Sequence, residues 1–145
     1  MAGPRTINGK MLRALAKRDD EGFKYWRIRM NDDEEAKRTL YAMYYEAFRE
    51  AADRRFPVGG DVRDIARFLA QPRVPLSPEM KLPVVESEAL IRSALGERGL
   101  VKGIPKRMVS EIRMQLFVYL VEDLDLPDEK LDTLLEAAEG WVYSS

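Results

Sequence analysis

The stretch P-K-R-M-V-S-E-I-R-M-Q-L-F-V-Y-L-V-E-D-L, residues 105–124, decides the fold. Its first half is one-sided, with Met108, Val109, Ile112 and Leu116 at three- and four-residue steps, the period of a helix. Its second half is apolar on every side, because residues 116–121 contain no charged or amide side chain. A helix that is hydrophobic all round has to be enclosed by other elements. Phe117, Val118, Tyr119 and Val121 would also suit a strand, but the helical period runs into them without Gly or Pro. The segment is therefore expected to be the buried central helix of an all-α domain.

The other elements are read outward from it. Pro127, followed by Asp128 and Glu129, opens a last helix whose buried stripe is Leu131, Leu134, Leu135, Ala138 and Val142. Upstream, Val84 to Leu95 reads as a helix that ends at Gly96 or Gly99, where glycine adopts the left-handed cap conformation. Residues 71–83 contain four prolines and form a connector with at most one turn at 77–79. Asp61 is an N-cap for Val62 to Ala70, after a break at Gly59 and Gly60. Asn31 with Glu34 resembles an N-cap and its reciprocal acid, opening a helix that runs to about Arg55. One face of that helix holds Leu40, Tyr44, Ala47, Phe48 and Ala51, widened by Tyr41, Tyr45 and Ala52. Five main helices result.

The first thirty residues are harder to place. Residues 1–9 have turn composition and read as a loose arm, followed by a minor helix over Lys10 to Arg18. In F-K-Y-W-R-I-R-M, residues 23–30, Trp26, Ile28 and Met30 alternate as in a strand, while Phe23, Trp26 and Met30 also share a helix face. The expected organisation is a basic arm over 1–30 and a helical domain over 31–145.

Composition limits function more sharply than it indicates one. The chain has 145 residues with neither cysteine nor histidine. That removes disulfides, thiolate and Ser-His-Asp chemistry, and zinc sites built on Cys or His. No catalytic, cofactor-binding or metal-ligating residues are assigned, and a non-enzymatic protein is expected. No apolar run reaches the roughly 20 residues of a membrane span, and the N-terminus lacks signal-peptide character. A cytoplasmic protein that does not enter the membrane is the expectation. Net charge is −1, yet residues 1–30 carry eight basic and three acidic side chains, and residues 110–145 two basic and nine acidic. Such asymmetry fits a nucleic-acid or acidic partner, or mutual attraction of the two ends within one chain or between two.

The candidate interaction residues follow from that charge. Lys24, Tyr25, Trp26, Arg27 and Arg29 combine cations with rings able to stack, and Tyr41, Tyr45 and Arg49 are side chains that interfaces favour. The leading reading is a self-associating protein-interaction module, a homo-oligomer or a partner of another protein. In one form of it the basic arm docks on a second copy's acidic C-terminal surface. The alternative is a nucleic-acid-binding accessory protein using residues 10–29. The GxxG at 96–99 is either a helix cap or, as in KH domains, a nucleic-acid clamp. The acids of 122–129 lack the glycine and glutamate positions of a calcium loop.

The segments A-A-D-R-R-F-P-V-G-G-D-V-R-D-I-A-R-F (51–68) and A-L-I-R-S-A-L-G-E (89–97) resemble small uncharacterised all-helical proteins of actinobacteria. The resemblance covers about residues 34–140 and rests on cap and core positions. It implies a helical fold and a bacterial cytoplasm, and brings no activity, ligand or catalytic residue.

Overall fold

The computed structural model describes residues 3–57 and 61–143. Among them are seven helices and no strand: α1 (Ile7–Ala16), α2 (Asp20–Asn31), α3 (Glu34–Arg55), α4 (Val62–Ala70), α5 (Val84–Ala94), α6 (Lys106–Leu124) and α7 (Asp128–Tyr143). The chain is all-α, as the apolar periods require. Gly59 and Gly60 lie outside the described residues.

α6 occupies the interior. Ile112 and every residue from Gln115 to Val121 are buried, enclosed by α1, α3 and α5. Phe117 and Val121 are buried within the chain itself. α3 runs parallel to α6: Arg113 stacks on Tyr45, and one sequence offset further on Arg55 meets Asp123 at 2.5 Å. The α3 face that packs inward is Met43, Ala47, Phe48, Ala51 and Ala52. Its alanines let neighbouring backbones approach, and Phe48 fills the space between them.

The N-terminal segment is a structural element and not a loose arm. Thr6 caps α1 by accepting from the Gly9 N–H at 3.0 Å, and Met11 and Leu12 are buried in the core. α1 and α7 lie antiparallel: Thr6 meets Glu139, Arg13 meets Asp132 and Lys17 meets Asp128, each step forward along α1 matched by an equal step back along α7. The opposite charges of the two chain ends therefore meet within one molecule. Asn8 and Gly9, whose types read as a turn, are in fact buried.

Residues 23–30 are helical, so the strand period of Trp26, Ile28 and Met30 has no structural counterpart. α2 starts at the cap of Asp19, which accepts from the Gly22 N–H, and runs through Asn31. Asn31 is thus the last residue of α2 rather than the cap of α3. Asp33 takes that role, accepting from the Ala36 N–H at 2.9 Å. The remaining boundaries agree with their sequence signals. Asp61 caps α4, and Ser77 and Met80 close one turn within the proline-rich connector. Gly96, at φ +113°, ends α5: the Glu97 N–H bonds the Arg92 carbonyl and the Gly96 N–H that of Ser93. This is the paired bonding of a Schellman cap. None of these helices is long and apolar enough to cross a membrane.

Candidate functional site

α2 buries only Met30. Trp26 is half-buried and packs, with Phe23, on a satellite cluster of Met11, Met30 and Ala36. Everything else on the helix's outer side faces water: Lys24, Tyr25, Arg27, Ile28 and Arg29 are all exposed, Ile28 to 62%. The sequence marked the polar members of this group. It did not mark Ile28, because the strand reading placed Ile28 on the same face as Trp26 and Met30.

Aromatic contacts organise the surface. The Arg29 guanidinium lies 3.5 Å from the Tyr25 ring centroid, Tyr25 meets Trp26 edge-on at 4.8 Å, and the Lys10 ammonium sits 5.0 Å over Trp26. Such cation–π contacts fix cationic side chains without neutralising them. Lys24, Arg27 and Arg29 have no ion-pair partner among the described residues, whereas Arg13, Lys17 and Arg18 on and just after α1 are each paired to a carboxylate. Among the described residues, the charge of Lys24, Arg27 and Arg29 is therefore not neutralised by carboxylates, while that of Arg13, Lys17 and Arg18 is; Lys10 of α1 rests on Trp26.

α3 extends the surface. Tyr41 is 66% exposed and meets Tyr44 edge-on at 6.4 Å. Burial holds the Tyr44 phenol above its ordinary range, while the positive charge of Arg27 pulls it back and Tyr41 adds to the rise. Arg27 of α2 thus lies close enough to the tyrosines of α3 for its charge to be felt there. One turn on from Tyr41, Tyr45 carries the Arg113 guanidinium of α6 at 4.7 Å. Burial lowers the Arg113 pKa, and its Nε has no hydrogen-bond partner among the described residues.

Arg49 belongs to different surroundings. It pairs with Glu46 at 2.9 Å, Glu50 at 3.2 Å and Asp53 at 3.3 Å, and lies 4.9 Å from the ring of Trp141. Trp141 in turn donates its indole N–H to Glu50 at 3.0 Å and is 63% exposed. The expected Tyr/Arg face of α3 is accordingly divided. Tyr41 lies beside Tyr44, which feels the charge of Arg27, Tyr45 carries Arg113 of α6, and Arg49 is neutralised by Glu46, Glu50 and Asp53 of α3 itself. Arg113 and Trp141 were not singled out by sequence, since what gives them meaning is the packing of α6 and α7 on α3. The one available signal for Trp141 was its position off the Leu131–Val142 stripe.

Comparison with protein-family models, with curated proteins and with solved structures finds no match to this chain.

Proposed function

We propose that the protein is a non-enzymatic interaction module that docks an acidic protein partner on the outer face of α2 and the adjoining Tyr41. The observation that carries this reading is the cluster of Lys24, Arg27 and Arg29, exposed and without carboxylate partners among the described residues, interleaved with exposed Tyr25 and Ile28. Cations supply steering and orientation, and the ring and aliphatic side chain between them supply apolar contact.

A protein fits this surface better than a nucleic acid does. The cationic stretch spans residues 24–29, roughly 9 Å of helix at 1.5 Å per residue. Acids bound it at both ends: Asp20 and Glu21 in the first turn, Asp32 and Asp33 after the last. A phosphodiester backbone carries negative charge past both ends and would meet those acids, whereas an acidic segment of a protein can match the cations and stop. A second copy of this chain has less support. A two-fold contact of α2 with itself sets like cations against one another. Asp128, Asp132 and Glu122, the acids a crossing arm would seek, are engaged within the chain.

The test is a fluorescence titration in a Trp141→Phe background, which leaves Trp26 as reporter. The probes are a short peptide alternating Glu and Leu and a single-stranded DNA oligomer of equal charge, with light scattering run alongside. The expected result is saturable peptide binding, weakened at least about tenfold by Lys24→Glu with Arg27→Glu, and a monomer mass without peptide. Tighter binding of the oligomer would favour the nucleic-acid reading. A micromolar dimer dissolved by the same reversals would move the surface to self-association.

A further inference from the structure

A second site lies elsewhere on the molecule and does not depend on α2. A cleft of about 410 Å³ opens between residues 71–74, which follow α4, and the C-terminal half of α6. Its walls include Arg18, Arg73, Val74, Tyr119, Glu122 and Asp123. That volume is within the range of small-molecule sites, about 300–1,000 Å³.

Two features distinguish it from an ordinary surface depression. The first is the state of its arginines. Arg18 grips both oxygens of Glu122, at 2.8 and 3.1 Å, and Arg55 holds Asp123 at 2.5 Å. Each carboxylate thus already has its own arginine, and Arg73 is left over. Among the described residues its guanidinium donates only to Gln71, to the backbone carbonyl at 3.0 Å and the side-chain oxygen at 3.5 Å. A guanidinium has five N–H groups, so most of its donor capacity is open. Arg73 is stacked 4.1 Å from the Phe68 ring centroid and 5.6 Å from that of Tyr119, and burial lowers its pKa. It is a partly desolvated cation that makes no ion pair among the described residues, with Asp123 and Glu122 within electrostatic reach and partly opposing the fall.

The second feature is Arg18 itself. It adopts φ +56°, the left-handed region that non-glycine residues rarely occupy, at some cost in backbone energy. Its guanidinium bonds the carbonyls of Val74 at 2.7 Å and Pro75 at 3.2 Å as well as Glu122. The unusual backbone thus holds a strap between the end of α1, the connector and α6, and that strap forms one wall of the cleft. The Tyr119 phenol lies within electrostatic reach of both Arg18 and Arg73, and none of the hydrogen bonds among the described residues engages it.

We propose that this cleft binds a small organic monocarboxylate, its carboxylate pairing with Arg73 and accepting from the Tyr119 hydroxyl, its apolar body resting against Pro72 and Val74. The ligand class follows from charge and shape. The lining carries Arg18 and Arg73 against Glu122 and Asp123, and Arg55 holds Asp123 from outside it, so the single charge of Arg73 is the one a monoanion would match. A phosphate dianion would overshoot it beside Glu122 and Asp123. A planar carboxylate also matches the guanidinium fork, and the apolar wall favours a carboxylate with a hydrocarbon body over acetate.

The experiment is calorimetric titration of the full chain with benzoate, acetate and inorganic phosphate as probes. Arg73→Met, Arg73→Lys and Tyr119→Phe are the site variants, and Arg27→Glu is the control. Benzoate is expected to bind saturably and more tightly than acetate or phosphate. Arg73→Met should weaken it about tenfold or more, the loss of one charged hydrogen-bonded pair. Arg73→Lys should retain part of the affinity, Tyr119→Phe should weaken it less than Arg73→Met, and Arg27→Glu should leave it unchanged. Methyl resonances of Val74 in the unaltered chain should shift with benzoate, which locates the site without reliance on a variant's folding. Absence of saturable benzoate binding, benzoate affinity indifferent to Arg73→Met, or phosphate binding more tightly than benzoate would each overturn the assignment.

Discussion

Glu139 of α7 accepts hydrogen bonds from Thr6 at the start of α1: the Thr6 N–H at 2.8 Å and, with the same oxygen, the Thr6 hydroxyl. The Arg5 N–H adds a third donor at 3.0 Å. Glu139 is only 2% exposed, so these bonds replace water almost completely. Its carboxylate meets the N–H groups of the N-cap and of the residue before it, beside the positive end of α1. Glu139→Ala would take the acceptor from three part-buried donors, the Arg5 and Thr6 N–H groups and the Thr6 hydroxyl. The expected cost is about 3 kcal/mol, read as a lowered urea midpoint, with Glu139→Gln intermediate.

The same contact explains Gly9. A Cβ there would lie 2.5 Å from the Glu139 Oε2 and 2.7 Å from the Pro4 Cβ. In an open helix Gly→Ala gains about 0.5–1 kcal/mol. Here overpacking of about 1–3 kcal/mol outweighs that gain, so Gly9→Ala is expected to destabilise. A variant with unchanged or raised stability in chemical denaturation would show that the α1–α7 junction yields easily.

α1 is also part of the core through Leu12, which is fully buried. Leu12→Ala should cost about 2–5 kcal/mol, and a chain lacking residues 1–18 should lose cooperative unfolding in calorimetry. A truncated chain with an intact transition would restore the picture of a detachable arm.

These N-terminal contacts also show where the sequence ceases to be legible. α6 and α7 could be read because their apolar residues repeat at helical steps over four or five turns. α1 resisted because Asn8 and Gly9, polar or small, look like a turn. They are buried by distant partners: Asn8 donates to the Ala36 carbonyl at 2.9 Å and the Tyr143 hydroxyl at 3.2 Å, and Gly9 makes room for Glu139. No local period encodes such contacts. α2 resisted for the opposite reason, since a helix that buries one residue carries almost no apolar period. The candidate surface was half legible. Lys24 to Arg29 stand out by composition, but whether a cation is open or neutralised depends on which helices it meets, which is why Arg27 and Arg49 part company.

The Tyr44 phenol gives the candidate surface a pH signature. Its folded-state pKa is raised, mainly by burial, above the ordinary value of 10.0. The folded chain therefore holds that proton more tightly than the unfolded chain does. The associated stability is complete below about pH 10 and is lost as pH climbs through the folded value. Tyr44→Phe should flatten this alkaline loss. Arg27→Met should move the Tyr44 midpoint higher still, because Arg27 opposes the rise. Urea denaturation at alkaline pH reads the first effect, ultraviolet titration differenced against Tyr44→Phe reads the second among the six tyrosines, and an unmoved midpoint in Arg27→Met would separate α2 from Tyr44 of α3.

Ser87 of α5 offers a substitution expected to stabilise. It is fully buried, and its hydroxyl has no hydrogen-bond partner among the described residues. A hydroxyl taken out of water without a partner opposes folding, and Ala removes it while leaving only a small gap. Ala is also the better helix former of the two. Ser87→Ala should therefore raise stability by about 1 kcal/mol, seen as a higher urea midpoint at unchanged slope. Gln115 on the neighbouring α6 makes a partial contrast: its Nε2 donates to the Lys81 carbonyl at 3.1 Å and ties the connector to the core, while its Oε1 has no hydrogen-bond partner among the described residues. Gln115→Ala should lower the midpoint. If both variants moved the same way, the difference between a bonded and an unbonded buried polar group would not be what governs stability at the α5–α6 junction.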